Sequence, residues 1–77
     1  MALYFFNVIN DKVFVDTEGS ELPDMQAVRV EAVRTGAEMI AYEDPAMLGT
    51  KPWTMNVANA TGSIVYALCF QATEYGY

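Results

Sequence analysis

Histidine is missing from this 77-residue chain altogether, and cysteine occurs once, as Cys69. The first absence removes the commonest general base and every Cys–His or Ser–His pair. The second removes disulfides as a staple and, with no imidazole, leaves no donor set for a tight zinc site. Cys69 therefore reads as a small apolar strand residue rather than a nucleophile. Basic residues are scarce too: Lys12, Arg29, Arg34 and Lys51 stand against ten acids, for a net charge of −6. Neutralising phosphates needs a positive footprint, so nucleic acid is excluded as a partner, and an anionic membrane surface with it. No apolar run approaches membrane-spanning length; the longest, Ile64 to Phe70, has seven residues. The N-terminus lacks a basic segment ahead of its apolar stretch and does not read as a signal peptide. With a free thiol, that points to the cytoplasm. The glycines (Gly19, Gly36, Gly49, Gly62, Gly76) are too dispersed to cradle a phosphate. No enzyme activity, metal or cofactor is expected.

What the chain does have is apolar content, 53% against 18% charged residues. So short a chain forms one domain (1–77, with an ordered core at 2–71 and a loose tail at 72–77) and buries a modest share of its surface. Without disulfides or metal, oligomerisation is the remaining common support, and a homodimer is the expected state.

The organising element is the stretch Glu21–Glu43. Asp24 stands where an N-cap belongs, after Pro23 and before good helix formers. At 3.6 residues per turn, Met25, Val28, Ala32, Gly36 and Met39 form one apolar stripe, widened by Val33 and Ile40. Gln26, Glu31, Arg34 and Glu38 lie opposite, with Ala27, Val30, Ala37 and Ala41 between. Gly36 on the buried stripe implies a close approach to the layer beneath. Asp44-Pro45 ends the helix near Glu43.

Four strands are predicted around it. Leu3–Ile9 is aromatic and β-branched, and a two-residue turn at Asn10-Asp11 places Tyr4, Phe6, Val8, Val13 and Val15 on the core face. Phe5 and Phe14 fall on the other face. Trp53–Ala58 alternates cleanly, Asn59–Gly62 reads as a turn, and Ser63–Phe70 is apolar on both sides. A four-residue loop sends Ile64, Tyr66, Leu68 and Phe70 inward; a three-residue loop with a glycine bulge sends Val65, Ala67 and Cys69 inward instead. The larger side chains favour the first. The expected fold is α+β, two layers in the order β-β-α-β-β, with one helix on a four-stranded antiparallel sheet. One helix covers one side, so Phe5, Phe14, Val65, Ala67 and Cys69 are the candidate interface on the bare side.

The loop Asp16–Asp24 (DTEGSELPD) is dense in acids. A calcium set from Asp16, Glu18, Glu21 and Asp24 lacks the spacing of an EF-hand loop, and a solvated loop ending in a helix cap fits better. Asp16, Glu18, Glu21, Glu31 and Glu38 form the candidate acidic surface. Asn59-Ala60-Thr61 matches a glycosylation sequon, but the turn reading suits it.

With YFF near the start, EGSELPD before the helix, VRVEAVR within it and Trp53…Gly62…Leu68-Cys69-Phe70 at the end, nearly the whole chain resembles a group of small alphaproteobacterial proteins classed as a domain of unknown function. That resemblance implies a fold and a bacterial cytoplasmic origin, and brings no catalytic residues. Leu22-Pro23-Asp24 and the helix after it are also similar to the HicB-type antitoxin fold, without its DNA-binding extension. Two functions follow as expectations: a non-enzymatic binding or assembly module that self-associates through its uncovered sheet face or an edge strand, or an antitoxin-like regulator holding a basic protein on its acidic surface.

Overall fold

Four runs rich in β-branched and aromatic residues and a short Ser-Glu-Leu segment form five strands packed with one amphipathic helix in the computed structural model, which describes residues 1–10, 12–43, 48–49 and 51–76. In chain order they are β1 (Ala2–Ile9), β2 (Val13–Phe14), β3 (Ser20–Leu22), α1 (Met25–Ile40), β4 (Trp53–Asn59) and β5 (Ile64–Phe70). Every pairing is antiparallel, and the spatial order is β2-β1-β4-β5. Tyr4 pairs with Asn59 of β4 on one side and Ser20 of β3 on the other, so β3 shares with β2 the outer edge of β1. The sheet thus has five strands rather than the expected four, because Ser20–Leu22, expected to lie in the acidic loop, pairs with β1 as an additional strand.

The first hairpin turns one residue later than expected. Ile9 faces Val13 and Val8 faces Phe14. Asn10 Oδ1 accepts from the Lys12 amide at 2.9 Å, and the Asn10 amide donates to the Lys12 carbonyl at 3.1 Å; Asp11, the other half of the expected turn, lies outside the described residues. A slip of one residue exchanges the two sides of a strand. Val13 and Val15, expected in the core, are exposed. Phe14 moves to the helix side, opposite Val8, where it lies at the sheet margin and stays 59% exposed.

The second hairpin keeps most of its expected register: Trp53 faces Phe70, Met55 faces Leu68 and Val57 faces Tyr66. Asn59 Oδ1 holds the turn by accepting from the Thr61 amide, the Thr61 hydroxyl and the Ser63 amide, at 3.1, 2.8 and 3.0 Å. Gly62 supplies the left-handed residue, at φ +88°. A bulge between Val57 and Ala58 then sets Ala58 opposite Ile64 and leaves Val65 as the extra residue. Ile64, expected inside, faces out, while Val65 packs against the core.

Asp24 caps α1, its Oδ1 accepting from the Ala27 amide at 2.9 Å. Regular helix stops at Ile40, earlier than expected, and closes through tighter bonds from Tyr42 to Met39 and from Glu43 to Ile40; Asp44-Pro45 lies outside the described residues. Val28, Ala32 and Gly36 are buried, flanked by Met25, Met39 and Ile40, whereas Val33 is 50% exposed and does not widen the buried stripe. A Cβ at Gly36 would lie 3.2 Å from Leu68 Cδ2, 3.3 Å from Phe70 Cε2 and 3.6 Å from Trp53 Cη2. The missing side chain is what lets the helix seat on β5. Phe6, Val8, Val28, Ala32, Trp53, Met55 and Val57 make the core, with Phe70 edge-on to Trp53 at 5.5 Å.

Candidate functional site

Three surfaces could do work: the open side of the sheet, the acidic loop, and the side of the molecule formed by β5 and α1. On the open side, cross-strand pairing groups Phe5 with Ala58, Asn7 with Asn56, Asn56 with Ala67, and Thr54 with Cys69. Of the five expected interface residues, Phe5, Ala67 and Cys69 lie here. Phe14 and Val65 do not, because of the hairpin slip and the bulge. The centre of this side is polar, set by Asn7, Asn56 and Thr54. The Thr54 hydroxyl stands 3.8 Å from Cys69 Sγ. Part of it is also covered from within the chain. A Cβ on Gly19 would come within 3.0 Å of Leu3 Cδ1 and of Phe5 Cε1, so the 16–19 loop folds directly over these two side chains.

That loop is built around Asp16. Its Oδ2 accepts from the Phe6 amide of β1 at 3.1 Å, and its Oδ1 accepts from the Glu18 and Gly19 amides at 3.1 and 3.0 Å. Its own amide donates to Asn7 Oδ1 at 2.9 Å. Phe6 lies between Val8, which pairs with β2, and Tyr4, which pairs with β3. The carboxylate therefore fills the rung left open where the second strand breaks, satisfying a donor that would otherwise go unpaired. Burial raises the Asp16 pKa, but the bonds from Gly19, Phe6 and Glu18 outweigh it and hold the carboxyl below its ordinary 3.8. Gly19 sits at φ +76°, with Tyr4 O only 3.1 Å from where a Cβ would be. Both Asp16 oxygens are thus committed to backbone amides of its own chain.

The other acidic candidates are spread over three elements. Glu18 is exposed on the loop and Glu21 on β3, opposite Leu3. On α1, Arg34 bridges Glu31 at 2.7 Å and Glu38 at 3.1 Å, neutralising half their charge. The Arg34 hydrogen bond leads the lowering of the Glu31 pKa, with burial opposing it and the Thr35 hydroxyl adding to it.

The third surface bears on the expected edge route to self-association, for which the sequence leaves open which strand forms the edge. β5 pairs with β4 on one side only, and its outer row of backbone groups meets no further strand among the described residues. It is seven residues long, IVYALCF, with neither charge nor proline. On α1, Val30, Val33 and Ala37 are exposed, and Gln26, Arg29, Val30, Val33 and Arg34 line a shallow open hollow. The uncharged run was visible in the sequence, but its place at an edge depends on strand order, which hydrophobic pattern does not encode.

Among the described residues no three His, Cys, Asp or Glu side chains group as a metal site, and no helix is long and apolar enough to cross a membrane. A family model described as a domain of unknown function matches residues 3–71. No curated protein and no solved structure matches the chain.

Proposed function

The chain belongs to the DUF6894 family, and we propose that it serves as a small non-enzymatic assembly module that pairs with a second copy of itself along β5. The carrying observation is a contrast between its two sheet edges. On the β1 side the outer strand is broken into pieces of two and three residues, and the Asp16 carboxylate occupies the gap between them. Short, interrupted strands are how edges are kept from pairing. On the other side β5 runs seven residues without a charge or proline. An uncharged, unpaired strand of that length is a template for strand addition. Antiparallel pairing of β5 with itself satisfies both rows at once and closes as a two-fold dimer. The exposed Cys69 thiol suits a reducing cytoplasm.

Full overlap of residues 64–70 with themselves puts Ala67 opposite Ala67 of the second copy. Ala67→Lys then sets two like charges face to face. Sedimentation velocity should give a dimer for the native chain and a monomer for Ala67→Lys, with the Trp53 fluorescence unchanged. An Ala67→Cys, Cys69→Ser chain should form an intermolecular disulfide, since directly opposed strand residues lie within about 4.5–5.5 Å. A native chain that sediments as a monomer up to millimolar concentration would end this reading.

The alternative is a HicB-like regulator holding a basic protein on an acidic surface. It keeps Glu18 and Glu21 as free charges but loses Asp16 to the fold and half of Glu31 and Glu38 to Arg34. The edge reading is preferred on that ground.

A further inference from the structure

Edge pairing through one strand is a thin contact, and stable complexes bury about 800 Å² per partner. We propose that α1 supplies the second layer of the same interface: its flank of Val30, Val33 and Ala37 packs against the same flank of a second copy across the two-fold axis. The proposal rests on the β5 reading and extends it from a strand to both layers.

Three observations place this flank beside the free edge. First, β3 and β4 run parallel to each other with β1 between them, so β3–α1–β4 is a crossover connection. Such crossovers are right-handed. In a right-handed helix lying on this sheet, the residues just after each buried one (Arg29, Val33, Ala37) then point toward β5, and those just before (Ala27, Glu31, Thr35) point toward β1. Second, burial agrees with that placement. Ala27, Glu31 and Thr35 are half-buried, with sheet beneath them, while Arg29, Val33 and Ala37 are exposed, as at an overhang. Third, the atoms nearest a Gly36 Cβ belong to Leu68 and Phe70 of β5, ahead of Trp53 of β4. The C-terminal half of the helix therefore rides near the edge strand.

Strands lie about 4.8 Å apart, so a helix axis over the β4–β5 gap stands roughly 10 Å from its mate across a two-fold beside β5. Packed helices are separated by about 8–10 Å. The two flanks differ in chemistry as the proposal requires. The β1-side flank carries Glu31, with Arg34 and Glu38 tied to it in one network, and the β5-side flank carries Val30 (56% exposed), Val33 and Ala37, with Arg29 one turn before Val33 donating to Gln26 Oε1 at 2.9 Å. A second copy is the occupant because two-fold pairing of β5 brings this one patch against itself with no other element between.

The test measures dimer Kd by sedimentation for the native chain, Ala67→Lys, Val33→Glu and Val33→Lys. Val33 is exposed in the single chain, so both charged variants should fold, checked by far-UV dichroism and Trp53 emission. Val33→Lys lowers the net negative charge where Val33→Glu raises it. Both should weaken dimerisation by at least about tenfold. If Ala67→Lys dissociates the dimer while both Val33 variants leave Kd unchanged, the helix layer is refuted and the strand reading stands. If the Val33 variants dissociate it and Ala67→Lys does not, the strand reading falls and this two-layer interface with it.

Discussion

Removing the Asp16 carboxylate should cost far more than a change in a solvated loop. Substitutions away from packed or bonded features stay within about 0.5 kcal/mol. Asp16→Ala strips acceptors from three backbone amides at once. Phe6 is buried, and an amide left unpaired there costs about 1–3 kcal/mol. The Glu18 and Gly19 amides are better reached by water and add about 0.5–1 kcal/mol each. A loss of about 2–5 kcal/mol follows, a large part of the roughly 4–12 kcal/mol expected of a domain this size. Asp16→Asn keeps one oxygen for the turn but turns an amide nitrogen toward the Phe6 donor, so it should cost about 1–3 kcal/mol. Urea unfolding followed by Trp53 emission gives these values, since Trp53 is the single tryptophan and is buried. Hydrogen exchange at the Phe6 amide localises the effect. A folded-state pKa held below the ordinary 3.8 makes this contribution complete above about pH 4 and lost as the pH falls through the lowered value. The gap between native chain and Asp16→Asn should therefore narrow on acidification below pH 4. An Asp16→Ala chain within about 0.5 kcal/mol of native, with Phe6 exchange unchanged, would refute the assignment.

Asp24→Ala should lower stability by about 1 kcal/mol, read by urea unfolding, because it removes the acceptor of the Ala27 amide. Gly36→Ala should be neutral within about 0.5 kcal/mol: its helix-propensity gain of about 1 kcal/mol meets crowding against the half-buried ends of Leu68 and Phe70. Gly36→Leu should cost about 2 kcal/mol or more in the same assay, since that crowding has no room to relax.

Much of the fold is legible in residue pattern, and what escapes has identifiable causes. The helix, its Asp24 cap and the buried Val28–Ala32–Gly36 stripe follow from period and capping chemistry, both local. The inward set Trp53, Met55, Val57, Tyr66, Leu68 and Phe70 follows from a period of two. The errors come from single-residue geometry. Pairing of Ile9 with Val13 in place of Lys12 carries Phe14 across the sheet, and one bulge moves Ile64 out and Val65 in. The hydrogen bonds of Asp16 are hidden from the sequence for a different reason. An acid among acids looks solvated in sequence, and only the proximity of the Phe6 amide, ten residues earlier, gives it a partner. Of the EGSELPD stretch, Gly19, Leu22 and Asp24 have structural roles, whereas Glu18 and Glu21 make no side-chain bond within the described chain.

The roles of Asp16 and β5 are linked through the asymmetry they create. A sheet this small has two edges, and both rows of backbone groups are open to strand addition unless something intervenes. At the β1 edge, a carboxylate, a left-handed glycine and the Asn7 side chain are all committed to holding the outer strand apart. Loop closure alone does not call for this arrangement, since a plain hairpin strand would pair with β1 more simply. Under the proposed β5 pairing, a chain that interrupts one edge and leaves the other smooth restricts assembly to a single side. Single-sided assembly stops at two copies instead of growing into a fibre. The same asymmetry predicts what Asp16→Ala does beyond its stability cost: with the Phe6 rung open, the second edge becomes available, and mass beyond the dimer should appear in sedimentation at high concentration. A variant that is merely less stable, with no species above the dimer, would show that the broken strand serves stability alone.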